Sequence, residues 1–128
     1  MRRLRNEDGQ AFVEFAFIMP FLIFLVLGII QFGRAWHNYI AITDAARVGA
    51  REAAVKRTTA CSSATAKINS LGIIPSGSTI SCTAGTNVGD QVAVTITYSF
   101  SIGLPGYFGL PAFARTFTIQ GIAKERLE

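Results

Sequence analysis

The stretch that decides the fold is Gly9-Gln-Ala-Phe-Val-Glu14-Phe15, which joins a short basic leader to a long apolar run. Phe15 to Ile30 contains no charged residue and is interrupted only by Pro20 and Gly28. With the apolar residues on either side, about 20 residues are available to span a bilayer, which matches a hydrocarbon thickness of roughly 30 Å. The sequence therefore predicts one transmembrane helix with a carboxylate near its start.

Placing the Glu14 carboxylate inside a membrane helix is energetically unfavourable. A carboxylate at the centre of a membrane helix costs roughly 2.5–3.5 kcal/mol on insertion scales. A chain that keeps this charge is expected to supply a partner for it. The alternative is that Glu14 extends towards the cytoplasmic headgroups.

The charges around the span predict its orientation. Arg2, Arg3 and Arg5 precede it, whereas only Arg34 follows it closely. Positive residues favour the cytoplasmic side, so the N-terminus is predicted to be cytoplasmic and the chain after Arg34 exported. A cleaved secretory signal is the alternative, but its apolar core is typically about 7–15 residues and ends in small residues. Here the run ends in Phe32-Gly-Arg34-Ala-Trp36.

Export bears on the two cysteines, Cys61 and Cys82, which both follow the span. In an oxidising compartment, an even pair predicts a disulfide, which should contribute about 3 kcal/mol on the chain-entropy model. Two unpaired thiols or half of a metal site are the alternatives. A metal site needs more ligands than His37, the only histidine, can add.

The segment from Ala35 to Arg57 has no proline and is predicted to continue the membrane helix outwards. Small residues recur along one side of it at helical spacing, namely Ala46, Gly49, Ala50 and Ala53. Such a stripe lets neighbouring helices approach closely, although the exported domain could equally pack onto it. A helix from Ala11 to Arg57 would be roughly 70 Å long, so we expect other copies or related subunits alongside it.

Beyond Arg57 the chain is predicted to form a small α/β domain. A linker is predicted at Thr58–Ser63, followed by a short helix that Ser62 or Ser63 caps and that Gly72 ends after Leu71. Two strands are predicted at Thr79–Ala84 and Gln91–Ile102. A loop at Gly103–Pro111 then leads to a third strand from Arg115 to about Ala123. The middle strand alternates between an apolar face and a polar face, which is typical of a half-buried strand. The fold class is therefore α+β, with a three-stranded antiparallel sheet after a long helix. Aromatic residues in the loop could form a contact surface or fold back over the sheet.

Several functions lack support. No glycine-rich phosphate loop, nucleophile elbow or Cys-x-x-Cys redox spacing occurs, so no enzyme activity, cofactor or metal is predicted. The chain has 12 Lys and Arg against 8 Asp and Glu, but the charges are mixed and no recognition motif accompanies them. Nucleic-acid binding is therefore not predicted. His37 lies between Trp36 and Tyr39, as expected of an aromatic belt at a membrane interface.

From Gly9 to about Arg51, the chain resembles the TadE-like family of pilin-related proteins in tight-adherence (Flp-type) pilus systems. The residues that carry the resemblance are Gly9, Val13, Glu14, Phe15, Ala16, Pro20, Phe32, Gly33, Ala45, Ala46, Arg47, Ala50 and Arg51. Together they span about a third of the chain. The glycine, the glutamate and the aromatic residue after it, the proline and the distal alanine–arginine cluster all have the spacing that the family has.

The resemblance implies how the chain is processed and where it acts. It divides the chain into a leader at 1–9, a transmembrane and extended helix at 10–57, and an exported domain at 58–128. A prepilin peptidase would cut after Gly9 on the cytoplasmic side and leave Gln10 as the new N-terminus. The product would be a pilin-like subunit, such as a minor pilin or pseudopilin. It would lie in the bacterial inner membrane or in an extracellular pilus. Its partners would be other pilin-like subunits and the assembly machinery. Ordinary type IV pilins begin with Phe or Met, so cyclisation of Gln10 is an alternative to N-methylation.

Cleavage would also supply the partner that Glu14 needs. The new ammonium group of an incoming subunit could pair with Glu14 of its neighbour in a bundle of staggered helices. Pro20 lacks an N–H group and crowds the Ala16 carbonyl, which predicts a bend or local opening of the helix.

Two other functions remain open from the sequence. One is an uncleaved single-span envelope protein whose exported domain binds a ligand or scaffolds a complex. The other is an interaction module that is cut but never polymerises.

Overall fold

The computed structural model describes residues 7–104 and 113–127. Its elements are α1 (Glu7–Val55), a 3-10 turn (Arg57–Thr59), α2 (Ala60–Leu71), β1 (Thr79–Ala84), β2 (Gln91–Leu104) and β3 (Phe113–Arg126). The described residues form two compact units, residues 7–34 and residues 35–127, and α1 contributes to both.

The first unit is the apolar part of α1. By length and composition, this helix can cross a membrane, and none of its most apolar stretch is buried. Phe17, for example, exposes 80% of its surface. The core helix of a soluble protein would bury such residues against its own fold, whereas a membrane helix presents them to lipid or to neighbouring helices. The predicted long N-terminal apolar helix is thus confirmed, and its exposure indicates a membrane anchor.

The second unit contains a three-stranded antiparallel sheet in the order β1-β2-β3. The central strand pairs with β1 from Val92 to Thr97 and with β3 along its whole length. The two longer strands therefore continue beyond the end of β1. The predicted α+β class and the three antiparallel strands are confirmed.

The core of this unit lies between one face of the sheet and the two helices. Val92, Val94 and Ile96 of β2 are fully buried, and the residues between them are more exposed, as the predicted alternation requires. The helices bury mostly alanine against this face, with Ile42 and Ile68 as the largest side chains. Small helix residues allow the sheet to lie close to the helix backbones.

The two long strands extend further than the sequence indicated. Gly103 was expected to begin the loop, but it pairs with Ala114 and β2 ends at Leu104. β3 correspondingly covers Phe113–Arg126 rather than starting at Arg115. Pairing with a neighbouring strand supplies hydrogen bonds that keep a glycine in extended backbone. The expected role of the loop aromatics falls mostly on residues 105–112, outside the described residues.

The predicted linker at Thr58–Ser63 is wrong. Arg57–Thr59 is a 3-10 turn, and α2 begins at Ala60, so Ser62 and Ser63 lie inside the helix and cap nothing. The physical reason is burial, since Ala60 and Ala64 pack into the core on the same helical face. The helix ends where predicted, at Gly72, which has the left-handed conformation with φ 63°. α1 ends at Val55, slightly before the predicted Arg57.

Candidate functional site

Gly9, Gln10 and Glu14 lie together at the start of α1. The side-chain amide of Gln10 donates a hydrogen bond to Oε1 of Glu14 at 3.3 Å. Residues four apart lie on the same face of a helix, one turn from each other, which explains the contact. Gly9 is part of the helix, and a Cβ atom there would meet no heavy atom within 4 Å beyond the helix's own nearby backbone.

Pro20 lies inside α1, and the helix assignment continues through it. Because proline has no N–H group, the Ala16 carbonyl lacks its usual donor at position 20. Neighbouring helices or local adjustments satisfy such carbonyls in membrane helices. The bend at Pro20 stays a prediction.

The two cysteines form a disulfide, Cys61–Cys82, which links the first turn of α2 to the middle of β1. The predicted pairing is confirmed, and the alternative of two unpaired thiols is wrong. Within the described ranges, no group of three or more His, Cys, Asp or Glu side chains could hold a metal ion. The bond ties the short helix to the sheet.

The four small residues predicted to pack against helices lie inside the second unit. Ala46, Gly49, Ala50 and Ala53 are all buried. A Cβ atom at position 49 would lie 2.8 Å from Cγ1 of Ile68 and 3.6 Å from Cγ1 of Val94. The protein's own α2 and sheet thus cover this stripe. This supports the explanation that the domain following the helix packs onto it.

The opposite side of the same helical segment is charged. Glu52 pairs with Lys56 at 2.7 Å, with the glutamate four residues before the lysine, which is the favourable order on a helix, and Arg47 lies 3.7 Å from Asp44. The hydrogen bond from Lys56, aided by its positive charge, lowers the pKa of the Glu52 carboxyl below its ordinary value of 4.5. Exposed pairs of this kind contribute little to stability, but they keep this side soluble.

The interfacial aromatic residues lie at the start of the second unit. The rings of Trp36 and Tyr39 are 5.9 Å apart between centroids and tilted to each other. Both side chains are exposed, as is His37. This arrangement is typical of side chains at a membrane–water boundary.

Sequence reasoning missed two structural sites. Gly121 of β3 lies against the α1 backbone, and the carboxylate of Asp90 accepts hydrogen bonds from the backbone N–H groups of Thr86 and Asn87 at 3.1 and 2.9 Å. Both carried a signal. A glycine inside a strand indicates close backbone approach, and an aspartate at the end of a turn-rich run indicates a turn stabilised by its side chain.

Comparison with known proteins relates the N-terminal part of the chain to one family. A family model described as "TadE-like protein" matches residues 9–51. No curated protein and no solved structure matches the chain. The matched segment begins at Gly9, contains Glu14 and Pro20, and ends at Arg51. The predicted resemblance to the TadE-like family is thereby confirmed over this segment.

Proposed function

We propose that this chain is a pilin-like subunit of a tight-adherence-type pilus system, that a prepilin peptidase cuts it after Gly9, and that it enters or primes a filament. One observation carries the proposal: the segment similar to the TadE-like family opens on an exposed apolar helix in which Glu14 is the only ionisable residue between Gly9 and Gly33. A lone carboxylate in such a helix requires a partner of opposite charge.

Cleavage after Gly9 supplies that partner. It frees an ammonium group at Gln10, one helical turn from Glu14. When subunits pack side by side with a small stagger, the ammonium group of one lies next to Glu14 of its neighbour. At 4 Å and an effective dielectric constant near 20, the pair attracts by about 4 kcal/mol, which offsets the cost of keeping the carboxylate in an apolar environment.

The exposed side chains of the helix support the same proposal. In the inner membrane, lipid covers them while the N-terminus stays cytoplasmic and the disulfide-linked domain is exported. In a filament, helices of other pilin-like subunits cover them instead. Because both surroundings are apolar, extraction from the membrane leaves few apolar groups exposed to water. The partners are therefore the peptidase, neighbouring subunits and the assembly machinery, and the proposed role includes no catalytic step.

The experiment compares Glu14→Ala with Glu52→Ala in a host that carries the matching pilus system. Glu52→Ala makes the same substitution at a carboxylate outside the apolar segment, so it controls for the general loss of an acid. We expect both proteins to reach the membrane, and only Glu14→Ala to lose incorporation into sheared filaments, measured by immunoblot. Normal incorporation of Glu14→Ala would contradict the pairing and favour a subunit that is cut but does not polymerise.

A further inference from the structure

A groove runs along the outer edge of β3. The sheet order gives β3 a strand partner on one side only, so its other edge has no strand beside it among the described residues. The outer part of α1 forms the opposite wall. Two pockets that share Arg51 and Glu125 make up the two parts of this groove. The first has a volume of about 440 Å³ and is lined by Arg47, Val48, Arg51, Ile122, Ala123, Lys124 and Glu125. The second adds Ala54, Val55 and Arg126.

Exposed apolar side chains are among the residues that line the groove. Ile122 exposes 56% of its surface, Val55 exposes 66% and Val48 exposes 38%. Ile122 belongs to β3, where it lies opposite Thr95 on the sheet face away from the helices, and Val48 and Val55 belong to the helix wall. Apolar groups next to an open strand edge are the usual surface for adding an extended peptide, whose backbone pairs with the edge while alternate side chains occupy the groove.

The charges around the groove are mainly positive. Arg47, Arg51, Lys124 and Arg126 provide four cations against the single carboxylate of Glu125. In the part of the chain that the structure describes, Arg51, Lys124 and Arg126 form no ion pair. Arg47 has only the exposed contact with Asp44 at 3.7 Å. An occupant that carries carboxylates would therefore meet three cations that form no ion pair among the described residues, with Glu125 as the one carboxylate in the lining.

We propose that this groove binds an extended acidic segment of a partner protein, which joins the sheet as a fourth strand beside β3. Charged side chains on an edge strand can also serve to prevent pairing with other chains. That purpose needs charges only on β3 itself. Here Arg47 and Arg51 place positive charge on the helix wall as well, so the two walls together match an acidic strand lying between them. The proposal does not depend on cleavage or on filament formation.

The test uses the full chain in detergent micelles and a fluorescent octapeptide of alternating glutamate and threonine. Matched peptides carry glutamine or lysine in place of glutamate. We expect the acidic peptide to bind at least about tenfold more tightly than the glutamine peptide, to lose affinity as salt is added, and to slow hydrogen exchange of amides in β3. No binding of the acidic peptide, or binding without slower exchange in β3, would overturn the proposal. Binding without slower exchange in β3 is the result expected of a polyanion held by surface charge alone.

Charge-reversal variants locate the site. Arg51→Glu should weaken binding of the acidic peptide at least about tenfold, because Arg51 lines both parts of the groove. Arg57→Glu makes the same change in the exposed 3-10 turn, outside the lining, and should leave the affinity nearly unchanged. Circular dichroism checks that both variants fold. Equal losses in the two variants would show that only net charge matters and would overturn the groove as the site.

Discussion

Gly121 in β3 lies directly against the backbone of α1 at Ile42. A Cβ atom at position 121 would lie 2.8 Å from the Ile42 carbonyl oxygen and 3.0 Å from Cα of Thr43. Neither neighbour is the movable end of a side chain, so the strand and the helix can approach this closely only with glycine at this position. The contact fixes where the sheet sits on the helical segment of the second unit.

The first prediction concerns Gly121→Ala. The added methyl group must push helix and strand apart, so we expect the free energy of unfolding of the second unit to fall by about 1–3 kcal/mol. Urea unfolding followed by circular dichroism of the full chain in detergent measures it. Gly33→Ala is the matched control, because a Cβ atom there would meet nothing within 4 Å. Equal stability of the Gly121→Ala variant and the unmodified chain would contradict the described contact.

The second prediction concerns Gly49→Ala, whose new methyl group meets a side chain rather than the backbone. The new methyl group would collide with Ile68, and we expect a loss of about 1–2 kcal/mol in the free energy of unfolding. Ile68→Val removes the terminal methyl group and alone should cost about 0.5–1.5 kcal/mol. The double variant should lose less than the sum of the two, since the smaller side chain makes room for the alanine. Simple additivity in the unfolding measurements would show that the two positions do not touch.

The disulfide supports a prediction of its own. Cys61 and Cys82 are 21 residues apart, and closing a loop of that length should stabilise the domain by about 3 kcal/mol through the unfolded chain. Adding a thiol reductant should therefore lower the midpoint of thermal unfolding. The variant in which both cysteines are alanine should start at the lower midpoint and show no further change with reductant. A midpoint in the unmodified chain that reductant leaves unchanged would rule out this contribution.

The pH dependence of stability should include a contribution from Glu52. Its pKa is lowered in the folded chain, so the Lys56 pair stabilises the fold at pH values above the unfolded pKa, near 4.5, and this stabilisation is lost as the pH falls through the folded pKa. The difference in stability between the unmodified chain and Glu52→Gln should therefore be small at neutral pH and should vanish in acid. Thermal unfolding across this pH range measures it, and added salt should shrink the difference. A difference that grows as the pH falls would contradict this assignment.

The sequence was sufficient for the features that depend on local pattern. The alternation of Val92, Val94 and Ile96 predicted the buried face of β2, and Gly72 predicted the end of α2. The apolar run after Glu14 predicted the long exposed helix. In each case, periodicity or a conformational preference within one segment determines the structure.

Features that depend on contacts between distant segments were missed or misplaced. Thr58–Ser63 is polar and was expected to be a linker, yet the burial of Ala60 and Ala64 against other elements makes it helical from Ala60 onwards. Leu127, near the end of the described chain, is buried, because its N–H group donates to the Asp90 carbonyl and its own carbonyl accepts from Gly89. The direct contact of Gly121 with α1 likewise requires knowing which helix lies beneath the strand. No local pattern contains that information.

The central claim is that cleavage after Gly9 creates the positive charge that Glu14 needs. The most direct measurement is intact mass spectrometry of the protein isolated from membranes of a host that contains its prepilin peptidase. The account predicts a mass lower than that of the full chain by residues 1–9, with an uncyclised Gln10 at the N-terminus, because cyclisation would convert its ammonium group into a neutral amide and remove the partner of Glu14. A protein that still begins at Met1 would contradict it, and would favour an uncleaved envelope protein anchored by the same helix.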